Sequence, residues 1–243
     1  LDFAMITRFS TLFAVLLGVA TPLQAHQIWI EQPADGNATI RFGEFGDNLR
    51  ETSPGLLDKF GAPTGTLIST GGEKQAEAAK TADGLTLPFR AGAGDSIVAE
   101  DAGYPLYTWK ETTSWFRPAA RLITGFDAAA PKLTLDLVPA GQPGQFKLFF
   151  KGEPKPKTKV AFVTASGWSK EAWTDEQGLV TFDMPWKGTY VAEVSVNEPA
   201  PGERQAAAGP EKYDAVSYVT SVTYVKPDGL APLPAGPVGT PSK

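Results

Sequence analysis

The sequence predicts a mainly β protein made of two sandwich-like domains with few short helices. Three observations lead there. Apolar residues recur at every second position in short runs along most of the chain. Turn-forming residues separate those runs, with 25 glycines and 21 prolines in 243 residues, a density that suits many short strands. Hydrophobic residues make up 42% and charged residues 20%, enough apolar material for a sizeable core and too much for global disorder.

Residues 1–25 are set apart from the fold because they have the layout of a secretory signal peptide. Met5 opens that layout, with Leu1 to Ala4 upstream of it. Arg8 gives a positive start, Phe9 to Ala20 an apolar stretch, and Thr21-Pro22-Leu23-Gln24-Ala25 a helix break with a small residue for a peptidase. The apolar stretch is shorter than the ~20 residues of a spanning helix, so no membrane span is expected after processing. Cysteine is absent, which excludes a lipidated cysteine, a disulfide framework and a thiolate metal site. The expected location is the periplasm.

Residues 26–130 read as an N-terminal β-rich domain. Ile28 and Ile30 share one face of an opening strand. After the Asp35-Gly36 turn, Ile40 and Phe42 alternate in the next. Leu85, Leu87 and Phe89 follow Asp83-Gly84, and Ser96 to Glu100 is a further short apolar run. Gln75 to Lys80 favours helix by propensity but lies between turns, so its state stays open. Pro54-Gly55 breaks the segment Asn48 to Phe60, leaving its second half for a helical turn at most. Pro118 blocks a long helix across Tyr104 to Phe126, and a short helix is expected over Ala119 to Ile123, since proline suits a first turn.

Residues 131–225 read as a C-terminal β-sandwich. Leu133, Leu135 and Leu137 alternate with Thr134, Asp136 and Val138, and Phe146, Leu148 and Phe150 alternate with Lys147, Phe149 and Lys151. Val160 with Phe162, Phe182 with Met184, Tyr190 to Val196, and Val216 to Tyr224 continue the series. About seven short strands at roughly 8–12-residue spacing indicate a sandwich. Asn197 to Asp214, rich in Pro, Gly and Ala, is expected to be a long mobile loop. The Pro/Gly-rich tail 226–243 is expected to be disordered or extended.

The formal net charge of -5 and the lack of a Lys/Arg run speak against nucleic acid and anionic membranes. No nucleophile elbow, phosphate-cradling glycine loop or zinc-ligand helix is present. Glu100 and Asp101 are adjacent, so on a strand they point to opposite faces and cannot flank one glycosidic bond. The protein is therefore expected not to be an enzyme and to hold no organic cofactor.

His26 is the one histidine. Cleavage after Ala25 would make it the first residue, with an α-amine and an imidazole that can close a six-membered chelate on Ni(II), Co(II) or Cu(II). The plainer reading is that the peptidase needs only Ala25 and the histidine is incidental. With no second histidine, oxygen donors would have to complete a metal shell. Six tryptophans offer another function. Trp109, Trp115, Trp168, Trp173 and Trp186 would stack a sugar or a partner protein if exposed, and would be core filling if buried. Asp175 and Gly178 have a structural role in a turn: the carboxylate accepts following amides and the glycine takes a positive φ. Metal or acid roles for Asp175 and Glu176 come second to that.

The opening Ala-His-Gln-Ile-Trp-Ile-Glu-Gln, residues 25–32, resembles the start of a bacterial periplasmic domain-of-unknown-function family once described as nickel-uptake (NikM-like) components. The stretch from Leu133 to Val194 is similar to that family's second half. Its Thr174-Asp175-Glu176-Gln177-Gly178 turn and Gly188-Thr189-Tyr190 strand also resemble transthyretin-like and carboxypeptidase-regulatory-like sandwiches. The resemblance implies a periplasmic accessory protein for nickel, cobalt or copper uptake or delivery. A membrane transporter or outer-membrane receptor would be its partner, and His26 is the only site residue carried over.

Overall fold

A computed structural model describes residues 26–242; the export signal expected over residues 1–25 lies outside them. The chain is mainly β, as the alternation predicts. It opens with β1 (Gln27–Glu31), β2 (Thr39–Glu44) and β3 (Leu49–Arg50), then a 3-10 turn at Leu56–Lys59 in the second half of the segment Pro54-Gly55 breaks. Next come β4 (Thr64–Ser69), β5 (Gly72–Glu77), β6 (Ala79–Lys80), β7 (Leu85–Thr86), β8 (Ser96–Glu100), β9 (Tyr107–Trp109) and β10 (Thr112–Ile123). The second half holds β11 (Leu135–Pro139), β12 (Gln145–Phe150), β13 (Glu153–Pro154), β14 (Lys159–Thr164), β15 (Ser169–Trp173) and β16 (Leu179–Thr181). Two long strands, β17 (Gly188–Ala206) and β18 (Gly209–Lys226), complete it.

These strands make three sheets. A nine-stranded sheet in the order β15-β14-β17-β18-β10-β8-β4-β5, with β9 on β10, forms the middle layer. It draws strands from both 26–130 and 131–225, joined where β10 runs parallel to β18 from Ser114↔Ala215 to Ile123↔Tyr224. One face meets the sheet β1-β2-β7-β6 across a core that includes Ile28, Ile40, Phe42, Phe116, Leu122 and Val219. The opposite face meets the sheet β11-β12-β13 across Leu137, Phe146, Phe162, Tyr190 and Val222. The alternation explains the second core directly, since Phe146 and Leu148 are buried while Gln145 before them and Lys147 between them are not. β1 is buried along most of its length because Ile28 and Ile30 enter the first core while Trp29 packs with Phe45, Val163 and Val191 behind it.

Two expectations need correction. Ala119 to Ile123 is not helical but the end of β10, held by β8 on one side and β18 on the other. Local helix propensity yields there to pairing with strands remote in sequence. The run expected as a mobile loop, Asn197 to Asp214, is a paired extension of β17 and β18 as far as Ala206↔Gly209. Pro199 and Pro201 fit because the ladder shifts register between Pro199 and Gly202, where a missing N–H is tolerated. Gln75 to Lys80, whose state the sequence leaves open, contributes to β5 and β6.

The tail is extended, one of the two states expected, and it is held. Leu230 bridges to Trp186, Asn48 Nδ2 donates to the Gly236 carbonyl at 2.9 Å, and Gly239 N donates to the Asn48 carbonyl at 3.0 Å. No helix among the described residues is long and apolar enough to cross a membrane.

Candidate functional site

His26 immediately precedes β1. Gln27 pairs with Gly43, which sets His26 across from Glu44 at the end of β2. Glu51 lies alongside, because its N–H donates to the Phe42 carbonyl at 2.8 Å. The imidazole packs on Phe42 with ring centroids 5.2 Å apart. His26 Nε2 is 2.6 Å from Glu51 Oε1, and Nδ1 is 3.3 Å from Glu44 Oε1. The histidine side chain is 23% exposed, so it is neither sealed in the core nor free in solvent.

Each carboxylate has its own setting. Glu51 is fully buried and accepts from the Ser242 N–H and Oγ, both at 2.9 Å. Its oxygens thus face donors throughout, and the His26 Nε2 proton completes the set. That assignment leaves the Nδ1 lone pair pointing toward Glu44. The Glu44 carboxyl is pushed above the ordinary glutamate range by burial, by a hydrogen bond with Asp47 and by the charges of Asp47 and Glu51, against the pull of His26. Glu44 Oε1 stands 3.3 Å from Nδ1, where it pairs with an imidazolium or, with both groups deprotonated, can share a cation with it.

The spacing can be tested against a metal. Two donors each about 2.0–2.2 Å from one ion sit roughly 2.8–3.6 Å apart at right-angle to tetrahedral geometry, and Nδ1 to Glu44 Oε1, at 3.3 Å, falls in that interval. A ligating imidazole commonly donates its other N–H to a carboxylate, which fixes tautomer and orientation, and Glu51 occupies that position. Among the described residues no group of three or more His, Cys, Asp or Glu side chains could hold a metal ion. Glu51 is committed to the far ring nitrogen, so a third donor has to come from the main chain or from solvent.

A third carboxyl lies close by on the other face of β1. Glu193 on β17 accepts from Gln27 Nε2. Burial above all, with the charges of Glu44 and Asp47, pushes it up to about 7 despite that hydrogen bond.

Sequence patterns alone do not single out Glu44, Glu51 or Glu193. One signal for Glu44 is present: Ile40, Phe42 and Glu44 share one parity on β2, so an acidic group continues an inward-facing row. His26 likewise continues the row of Ile28 and Ile30. Nothing local marks Glu51 or Glu193. Asp175 takes the expected turn role, accepting from the Gln177 and Leu179 N–H groups at 2.8 Å each, with Gly178 at φ +78°. Glu176 pairs with Lys157 at 3.0 Å on the surface. Of the tryptophans, Trp29 is buried, Trp115, Trp168 and Trp186 are partly buried, and Trp109 and Trp173 are exposed. Comparison with family models, curated proteins and solved structures finds no match to this chain.

Proposed function

We propose that this is a periplasmic, non-catalytic accessory protein that binds divalent nickel, cobalt or copper at a mature N-terminal His26. The ion is cargo, to be passed to a membrane transporter or an outer-membrane receptor. The α-amine and Nδ1 of His26 form the chelate, and Glu44 contributes a carboxylate oxygen. Glu51 holds the ring through Nε2, and the tail holds Glu51 through Ser242. The observation that carries the reading is the ring's asymmetry: one nitrogen is committed to a buried carboxylate, and the other faces a second carboxylate at a metal-compatible distance.

Three donors from one residue and one neighbour suit nitrogen-seeking late divalent ions better than magnesium or calcium, which take oxygen shells. The test is titration of protein that begins at His26 with Cu(II), Ni(II) and Co(II). Glu51→Gln keeps the fold's shape at that point and should weaken binding roughly 10–100-fold by loosening the ring. His26→Ala should abolish stoichiometric binding, and affinity should fall on acidification as protons compete for both nitrogens. Equal affinity for His26→Ala and the unaltered protein contradicts the reading.

A further inference from the structure

The middle sheet has a stretch of open face beyond the edge of the β1-β2 sheet, and that stretch is concave. It forms a trough of about 740 Å³, within the roughly 300–1,000 Å³ of small-ligand sites. Ser195 and Asn197 of β17 and Ser217 of β18 give its floor short hydroxyl and amide groups. Gln27 and Glu193 close the end nearest β1. Tyr107 and Trp109 stand at one margin, 36% and 54% exposed. Register places them on the trough face, since Tyr107 lies opposite Ser114 and Trp109 opposite Thr112, both lining residues. Trp173, 66% exposed, stands at the other margin. It pairs with Lys159 and follows Glu171 by two positions, and both of those line the trough.

We propose that this trough is a binding site for a neutral oligosaccharide, lying diagonally across the sheet between the aromatic margins and hydrogen-bonded to the floor. The chemistry selects among ligands. Lys159 and Glu171 are paired at 2.8 Å and the remaining charged lining groups, Lys110 and Glu193, are of opposite sign, so the trough offers little net charge to an ion. β18 is laddered on both sides, and β17 has a free edge only from Val194 onward, so an extended peptide could add main-chain pairs along that one segment alone. A wholly apolar ligand would strip water from the serine and asparagine floor. A sugar chain combines C–H faces for the rings with hydroxyls for the floor. The site is independent of the metal reading, because the Gln27 side chain points away from the face of β1 that carries His26.

The experiment uses the chain from His26 to Lys243 and calorimetric titration with cellohexaose, xylohexaose, mannohexaose and chitohexaose, with a proline-rich peptide as the competing class. At least one hexasaccharide should bind, and Trp109→Ala and Trp173→Ala should each weaken it about three- to tenfold. Ser195→Arg, at an exposed floor position, should block it. Unchanged melting temperatures in all three variants show that the fold is intact. No binding of any hexasaccharide at millimolar concentration, binding indifferent to all three substitutions, or binding of the peptide alone overturns the proposal.

Discussion

The His26 ring is fixed by Phe42 beneath it and by a carboxylate at each nitrogen, and a third carboxyl, Glu193, belongs to the same electrostatic neighbourhood. The Glu193 value of about 7 lies above the 4.5 of an ordinary glutamate, so the folded chain holds that proton more tightly than the unfolded one. The associated stability is complete below about pH 4.5 and is lost as pH rises through about 7, a change of roughly 3 kcal/mol. Glu193→Gln should remove that dependence. Urea unfolding at about pH 4.5 and about pH 8 measures it, and an unchanged difference between the two would count against the assigned cause. At this scale His26 and the Asp175 turn are legible in the sequence, because each announces itself locally. Glu51 and Glu193 are read only from the fold, since each meets its partner 25 and 166 residues away.

Elements follow the same division between local and remote causes. The Asp175–Gly178 turn is written in four residues, and it forms as those residues require. An added Cβ at Gly178 would lie 2.8 Å from the Leu148 carbonyl oxygen, at a φ of +78°. Gly178→Ala should therefore destabilise by about 2 kcal/mol or more, read as a lower denaturant midpoint with unchanged slope. The end of β10 shows the opposite case. Ala119 to Ile123 has the composition of a short helix, yet β8 and β18 pair with it from both sides. The β17–β18 ribbon is equally hidden, because its composition is that of a loop. Its pairing is supported by Arg204, which binds Glu211 at 2.8 Å and the Tyr104 carbonyl at 2.7 Å.

For the whole molecule, alternation alone predicts mainly β structure, and the three layers depend on contacts between segments. The middle sheet is tied to β11 by a fully buried ion pair. Arg121 Nε and a terminal guanidinium nitrogen donate to Asp136 at 3.0 and 2.6 Å, and the Lys132 and Leu133 N–H groups donate to the same carboxylate. Asp136→Ala leaves a buried cation unpaired and should cost about 3–5 kcal/mol, lowering the melting temperature by roughly 10 °C. A shift within a degree or two would show that the pair adds nothing to the layer contact. The proposed chelate sets the α-amine of a mature His26 beside Nδ1 and Glu44 at the start of β1. The most direct measurement of that claim compares metal affinity in protein starting at His26 with protein carrying one extra glycine in front of it. Loss of the chelate in the extended protein, with the melting temperature of the metal-free forms unchanged, is the expected result. Equal affinity in the two proteins would contradict it.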